Sequence, residues 1–225
     1  MSAVAQLPLD LGHRPALGGA DFLVAPANAA AVAWLDRWPD WGAPALVLTG
    51  PPGSGKTHLG HVFRLRTGAV SIPACELGVA NLPDLLGAAN AAILDDAEAA
   101  EEEALLHLYN LLAERQGHLL ILAREAPALW PIALADLRSR LVAAPLARLE
   151  PPDDALLAAL LVKLFADRQL AVGAEVVAYL VPRIERSFAA AERVVAALDR
   201  AALAAKRAVT VPLVRAVLRG SMAGG

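Results

Sequence analysis

The chain has 225 residues, 57% of them hydrophobic, with a mean hydropathy of +0.48 and a formal net charge of −3 at pH 7. That composition excludes disorder as the main state, the length allows one α/β core plus a small accessory module, and the charge balance gives no bulk attraction for nucleic acid. No run of ~18 apolar residues goes uninterrupted, so no spanning helix and no membrane partner are expected; no secretory signal is read at the N-terminus; and the single cysteine, Cys75, excludes an intrachain disulfide and a cysteine metal cluster and fits a reducing cytoplasm.

In chain order, residues 1–20 are rich in Pro and Gly and predict an extended segment. The run "AAAVAWLDRW" from Ala29 predicts a short helix with Asn28 as its cap. "ALVLTG" (45–50) is a compact apolar run ending in glycine, the pattern of a strand buried on both faces. A glycine-rich loop follows, then a helix to about Arg66. "AVSI" predicts a second strand and "AAILDD" (91–96) another buried strand ending in two acids. "EEEALLHLYNLLAERQG" has helical spacing, glutamates in its first turn and Gly117 beyond its end. "HLLILA" predicts a further buried strand. At "LEPPDD" (149–154) the texture changes, marking a hinge and a helix start. Helices are expected at roughly 153–168, 173–181, 184–203 and 211–219, with no strand-like alternation. The expected organisation is an extended segment at 1–20, a parallel α/β domain at 21–150 with helices on both faces of its sheet, and a small all-helical domain at 151–220.

The strongest local signal is "GPPGSGKT", Gly50 to Thr57, which fits G-x-x-x-x-G-K-[ST] between a predicted strand and a predicted helix. Gly53 and Gly55 let the backbone turn tightly and aim its amides at phosphate oxygens; Pro52 and Ser54 belong to the same nucleotide-binding loop, and the helix start adds its partial positive charge. Lys56 is placed to reach the terminal phosphates, and Thr57 offers a hydroxyl to Mg²⁺. Asp95, at the end of a neighbouring strand, supplies the second magnesium contact, and Asp96 is placed to orient or deprotonate an attacking water. This pattern predicts binding of ATP or ADP with Mg²⁺. It leaves open a kinase, a mechanical ATPase and a nucleotide-gated scaffold. Cys75 and the five histidines, His58 included, form no recognisable nucleophile or metal arrangement.

With these motifs in order, the chain resembles the AAA+ ATPase domain of bacterial replication initiators of the DnaA type, and more closely the short homologues that regulate such an initiator after the sliding clamp is loaded. "QLPLDL", "FLVAPANAAAVAWL", "GPPGSGKTHL", "AAILDDAE", "LYNLLAERQG", "DLRSRL" and "RSFAAAERVVAALDR" carry the resemblance over nearly the full length. The resemblance implies a P-loop fold with a helical lid after the sheet domain. It makes Arg140 the arginine finger offered to a nucleotide in a neighbouring subunit, and Arg186 the lid arginine that meets the phosphates. It assigns Phe22, Val24 and Asn28 to the segment that wraps the adenine. Gln6, Leu7, Leu9 and Leu11 match the short motif that docks on the DNA polymerase III beta clamp. Each leucine buried in a partner pocket is worth roughly 1.5–3 kcal/mol, offset by ordering the tail.

Two departures qualify the implied chemistry. Where the family carries Ser, Thr or Asn followed two positions later by Asp, this chain has Leu122 and Arg124. Leucine neither donates nor accepts a hydrogen bond, so slow intrinsic hydrolysis is expected. No basic helical extension follows the lid, so sequence-specific DNA binding is not expected. The implied function is regulatory: a nucleotide-bound protein docks on the clamp and stimulates hydrolysis by the ATP-bound initiator. An autonomous ATPase or loader and a non-catalytic clamp adaptor stay open, as does homo-oligomerisation.

Overall fold

The computed structural model describes residues 24–205 and 207–222. They fall into two compact units that divide between Glu150 and Pro151.

In the first unit the chain runs α1 (Ala29–Asp36), β1 (Ala45–Thr49), α2 (Lys56–Thr67), β2 (Val70–Pro73), α3 (Leu82–Leu86), β3 (Ala91–Asp95), α4 (Glu102–Glu114), β4 (His118–Ala123), α5 (Ala135–Ala143) and β5 (Leu146–Arg148). The strands form one parallel sheet in the order β2-β3-β4-β1-β5. Alternate side chains of each strand point to opposite faces. Ala45, Val47, Leu119 and Ile121 join Leu105, Leu108 and Leu112 of α4 and Leu137 of α5 in one apolar core. Leu46, Leu48, Leu120 and Leu122 join Leu35 of α1 and Leu59 and Phe63 of α2 in another. Helices therefore cover both faces, and this is why the central strands read as uninterrupted apolar runs. Trp41 stacks on Phe63 at 5.5 Å and closes the second core below the sheet.

Two local expectations change. Asn28 stands at the N-cap position of α1, but its side chain makes no cap bond; its Oδ1 turns back and accepts from the amide of Ala25 at 2.8 Å. The short edge strand β5 was not anticipated: it has three residues, and only Ala147 is buried.

The second unit consists of α6 (Asp154–Asp167), α7 (Ala174–Leu180), α8 (Phe188–Ala205) and α9 (Val211–Met222). Asp153 starts α6 by accepting from the amide of Leu156 at 2.7 Å. Leu157, Leu161, Phe165, Val176, Leu180, Val195, Leu198 and Val214 form its own core. The third helix was expected from residue 184 but begins at Phe188, because the buried hydroxyl of Ser187 accepts from the amide of Ala190 at 3.1 Å. Arg186 accordingly precedes α8 instead of opening it. Among the described residues no helix is long and apolar enough to cross a membrane.

Candidate functional site

β1 lies between β4 and β5, with β3 one strand further, and all run parallel. Their carboxyl ends open on one side, where open α/β sheets seat ligands. The loop 50–57 leaves β1 at that edge. Gly53 and Gly55 take φ of 72° and 98°, a region costly for any residue with a Cβ. Gly50 is confined by packing: a Cβ there would stand 2.7 Å from both the carbonyl oxygen of Leu149 and Ser54 Oγ. The first helical bond of α2 runs from the amide of Leu59 to the carbonyl of Gly55 at 2.9 Å, so the amides of Lys56 and Thr57 have no intrahelical acceptor.

The side chains converge on the same edge. Lys56 Nζ donates to the carbonyl oxygens of Gly50 at 2.6 Å and Pro51 at 3.0 Å. Burial pulls the Lys56 pKa down, against the opposing charges of Asp95, Glu98 and Asp96. Thr57 Oγ1 donates to Asp95 Oδ2 at 3.0 Å, and Asp95 Oδ1 accepts from the amide of Asp96 at 2.9 Å. The strand-end acid is thereby oriented toward the start of α2. A cavity of about 250 Å³ lined by Thr57, Arg64, Asp95 and Leu122 adjoins the pair.

The donor set suits a phosphate chain with a hard divalent cation: ammonium, unclaimed helix-start amides, hydroxyl and carboxylate. The Ser54 hydroxyl is buried without a hydrogen-bond partner, an orphaned polar atom inside the loop. Among the described residues no group of three His, Cys, Asp or Glu side chains would hold a metal independently.

Asp96 sits at φ 52°, and its Oδ1 lies 3.9 Å from Arg124 Nη2, with both side chains well exposed. Arg124 follows β4, whose last residue, Ala123, accepts from the amide of Gly50 at 3.2 Å. Glu98, which sequence reading missed, fixes this corner by accepting from the amides of Arg124 and Glu125. Leu122 is buried in the α2 face, and a Cβ on Gly60 would come within 2.9 Å of its Cδ1. An apolar residue at 122 thus packs the helix that carries the loop.

Arg140 lies within α5, in its last turn. Its Nε donates to Asp136 Oδ1 at 3.0 Å and its guanidinium stands 5.5 Å from the centre of the Tyr109 ring. Glu102, also missed, anchors the entry to α5 by accepting from the amides of Ala133 at 2.9 Å and Leu134 at 2.7 Å. In the helical unit, Arg186 pairs with Asp154 at 2.8 Å. Val24 packs against the α1–α2 core, and Asn28 is buried. Gln6, Leu7, Leu9, Leu11 and Phe22 lie outside the described residues.

The sheet order, the loop after β1 and the helical unit give this chain a DnaA-like AAA+ fold. Domain III of the replication initiation protein DnaA from Thermotoga maritima superposes with a TM-score of 0.71 at 19% identity, over 88% of this chain and 94% of that one. AMPPCP-bound DnaA from Aquifex aeolicus gives 0.64 at 19% identity, over 78% of this chain and 62% of that one. A RuvB mutant of Thermotoga maritima gives 0.70 at 15% identity, over 86% and 68%. At such identities these similarities establish the fold alone. The helical unit gives a more particular finding: residues 153–218 match the family model described as "Hda, lid domain". No curated protein matches the chain.

Proposed function

We propose that this protein is a regulatory inactivator of a DnaA-type initiator, acting as an Hda-type AAA+ protein that carries adenine nucleotide. The observation that carries the reading is an Hda-family lid following, in one chain, a phosphate loop that faces a strand-end carboxylate. Lys56 and the amides of 53–57 would hold the phosphates, Thr57 and Asp95 would hold Mg²⁺, and Arg186 is the lid residue that the resemblance assigns to the nucleotide. Val24, Asn28 and Phe22 line the adenine. Bound nucleotide supplies no chemistry of its own here; it stabilises the form that meets the partner.

Residues 6–11 dock on the DNA-loaded sliding clamp through Gln6, Leu7, Leu9 and Leu11. Arg140 then exchanges Asp136 for the γ-phosphate of initiator-bound ATP and stabilises the charge that develops there, a role worth roughly 10³–10⁵ in rate. Asp96 would serve hydrolysis of the protein's own nucleotide, which Arg124 and Leu122 keep slow. The initiator ends in its ADP form and re-initiation is suppressed.

The experiment mixes clamp loaded on DNA, initiator–ATP and this protein, and follows phosphate release with the wild type and with Arg140→Ala. Release is expected to fall to the initiator's basal rate in the variant. Equal rates for both proteins would sink the assignment of Arg140.

A further inference from the structure

In the lid, three arginines gather around one tyrosine. Arg183, in the short turn 181–183 after α7, has its guanidinium 3.8 Å from the centre of the Tyr179 ring, and its Nη1 donates to the Tyr179 carbonyl at 3.0 Å. Arg215 of α9 donates from Nε to the Tyr179 hydroxyl at 3.4 Å. Arg219, one helical turn further, lines with them a cavity of about 430 Å³. Among the described residues none of the three makes an ion pair with a carboxylate. The Tyr179 phenol is pulled below its ordinary pKa, chiefly by the Arg215 hydrogen bond, which outweighs burial, with the charges of Arg183 and Arg215 adding to it.

The charge pattern of the sequence runs the same way. Residues 151–225 carry ten of the 20 basic and seven of the 23 acidic side chains, so this part is positive in a chain of net −3. From Arg200 to Gly225 there are five basic residues and no acid. Uncompensated guanidinium groups spaced along one face are costly to hold together unless an extended anion bridges them, and the planar fork of arginine matches phosphate oxygens.

We propose that Arg183, Arg215 and Arg219 form a sequence-independent binding site for the phosphate backbone of nucleic acid. Contacts of this kind position a protein on a strand and carry no base information, which agrees with the absence of a DNA-reading domain among the described residues. The site lies wholly within the lid and does not depend on the initiator-directed reading of Arg140.

The test is fluorescence anisotropy of the full chain with a labelled 30-base-pair duplex and a labelled 30-nucleotide single strand, across a salt series. One variant is Arg183→Gln/Arg215→Gln/Arg219→Gln; a control of equal charge is Arg193→Gln/Arg200→Gln/Arg207→Gln. Each lost phosphate contact lowers the log–log salt slope by about 0.9 on duplex and about 0.7 on single strand, so the first variant should lose roughly two to three units of slope and bind about tenfold or more weakly at low salt. The control should keep most of its slope, and both should melt like the wild type. Loss on one probe alone supports the site and names its strand form. No wild-type binding, equal losses in the two variants, or selective binding of poly-glutamate over both DNA probes would overturn it.

Discussion

Arg124 Nη2 stands 3.9 Å from Asp96 Oδ1, so the acid next to the Thr57-bound carboxylate already has a cation beside it. An oxygen engaged by a guanidinium is less free to accept a hydrogen bond from an attacking water. Both side chains are well exposed, so the pair is worth at most about 1 kcal/mol, or about fivefold in rate. Arg124→Ala should therefore raise intrinsic ATP hydrolysis two- to fivefold in single-turnover assays, and Arg124→Ala/Asp96→Asn should abolish the gain. A lower rate in Arg124→Ala would mean that this arginine assists phosphate chemistry instead.

Lys56 bridges two carbonyls of its own loop, Gly50 and Pro51. A phosphate oxygen must replace those acceptors, and the ammonium then gains an ionised partner. ADP or ATP with Mg²⁺ at about a hundred times Kd should stabilise the wild type by about 2.7 kcal/mol, seen as a rise in Tm. Lys56→Ala should lose that rise while its unliganded Tm stays close to the wild type's. A full ligand-induced rise in the variant would show that Lys56 does not seat the phosphates.

What the sequence discloses follows from where each interaction lies along the chain. β1, β3 and β4 are buried on both faces and so appear as apolar runs, and the loop 50–57 is a contiguous motif whose glycines the backbone turns require. β5 escapes notice because its flanking Leu146 is 47% exposed at a sheet edge. Asp136 and Arg140 are four residues apart on one helix, a spacing that sequence alone offers as a pair. The contacts of Glu98 with 124–125 and of Glu102 with 133–134 join segments far apart in the chain, and only the folded sheet brings them together. Asn28 shows the converse: its residue type fits a cap, but burial and the Ala25 amide turn its side chain the other way.

Glu102 accepts the amides of Ala133 and Leu134, and those bonds hold its carboxyl below the ordinary value of 4.5. A depressed folded-state pKa gives stability that is present above the unfolded value and is lost as pH falls through the folded one. Glu102→Gln should therefore lower Tm at pH 7, and the gap to the wild type should narrow below about pH 4. Because these bonds fix the entry to the helix that carries Arg140, the variant should also reduce initiator-dependent phosphate release. A gap in Tm that is constant from pH 7 to pH 3 would exclude the carboxylate as its source.

Arg140 is held by Asp136 at 3.0 Å and lies near the Tyr109 ring, two contacts that a transfer to phosphate must replace. The Asp136 pair is an i,i+4 pair on a helix surface with both side chains exposed to solvent, which screens it. Its release thus costs little beside the charge it would neutralise on a γ-phosphate. Asp136→Asn should leave initiator-dependent phosphate release within about twofold of the wild type. Arg140→Lys should do far worse, losing at least about tenfold, because an ammonium lacks the planar fork that grips two phosphate oxygens. If Arg140→Lys matched the wild type while Asp136→Asn failed, Arg140 would act as the tether of α5 to its own carboxylate, and the charge that reaches the initiator's nucleotide would have to come from another side chain.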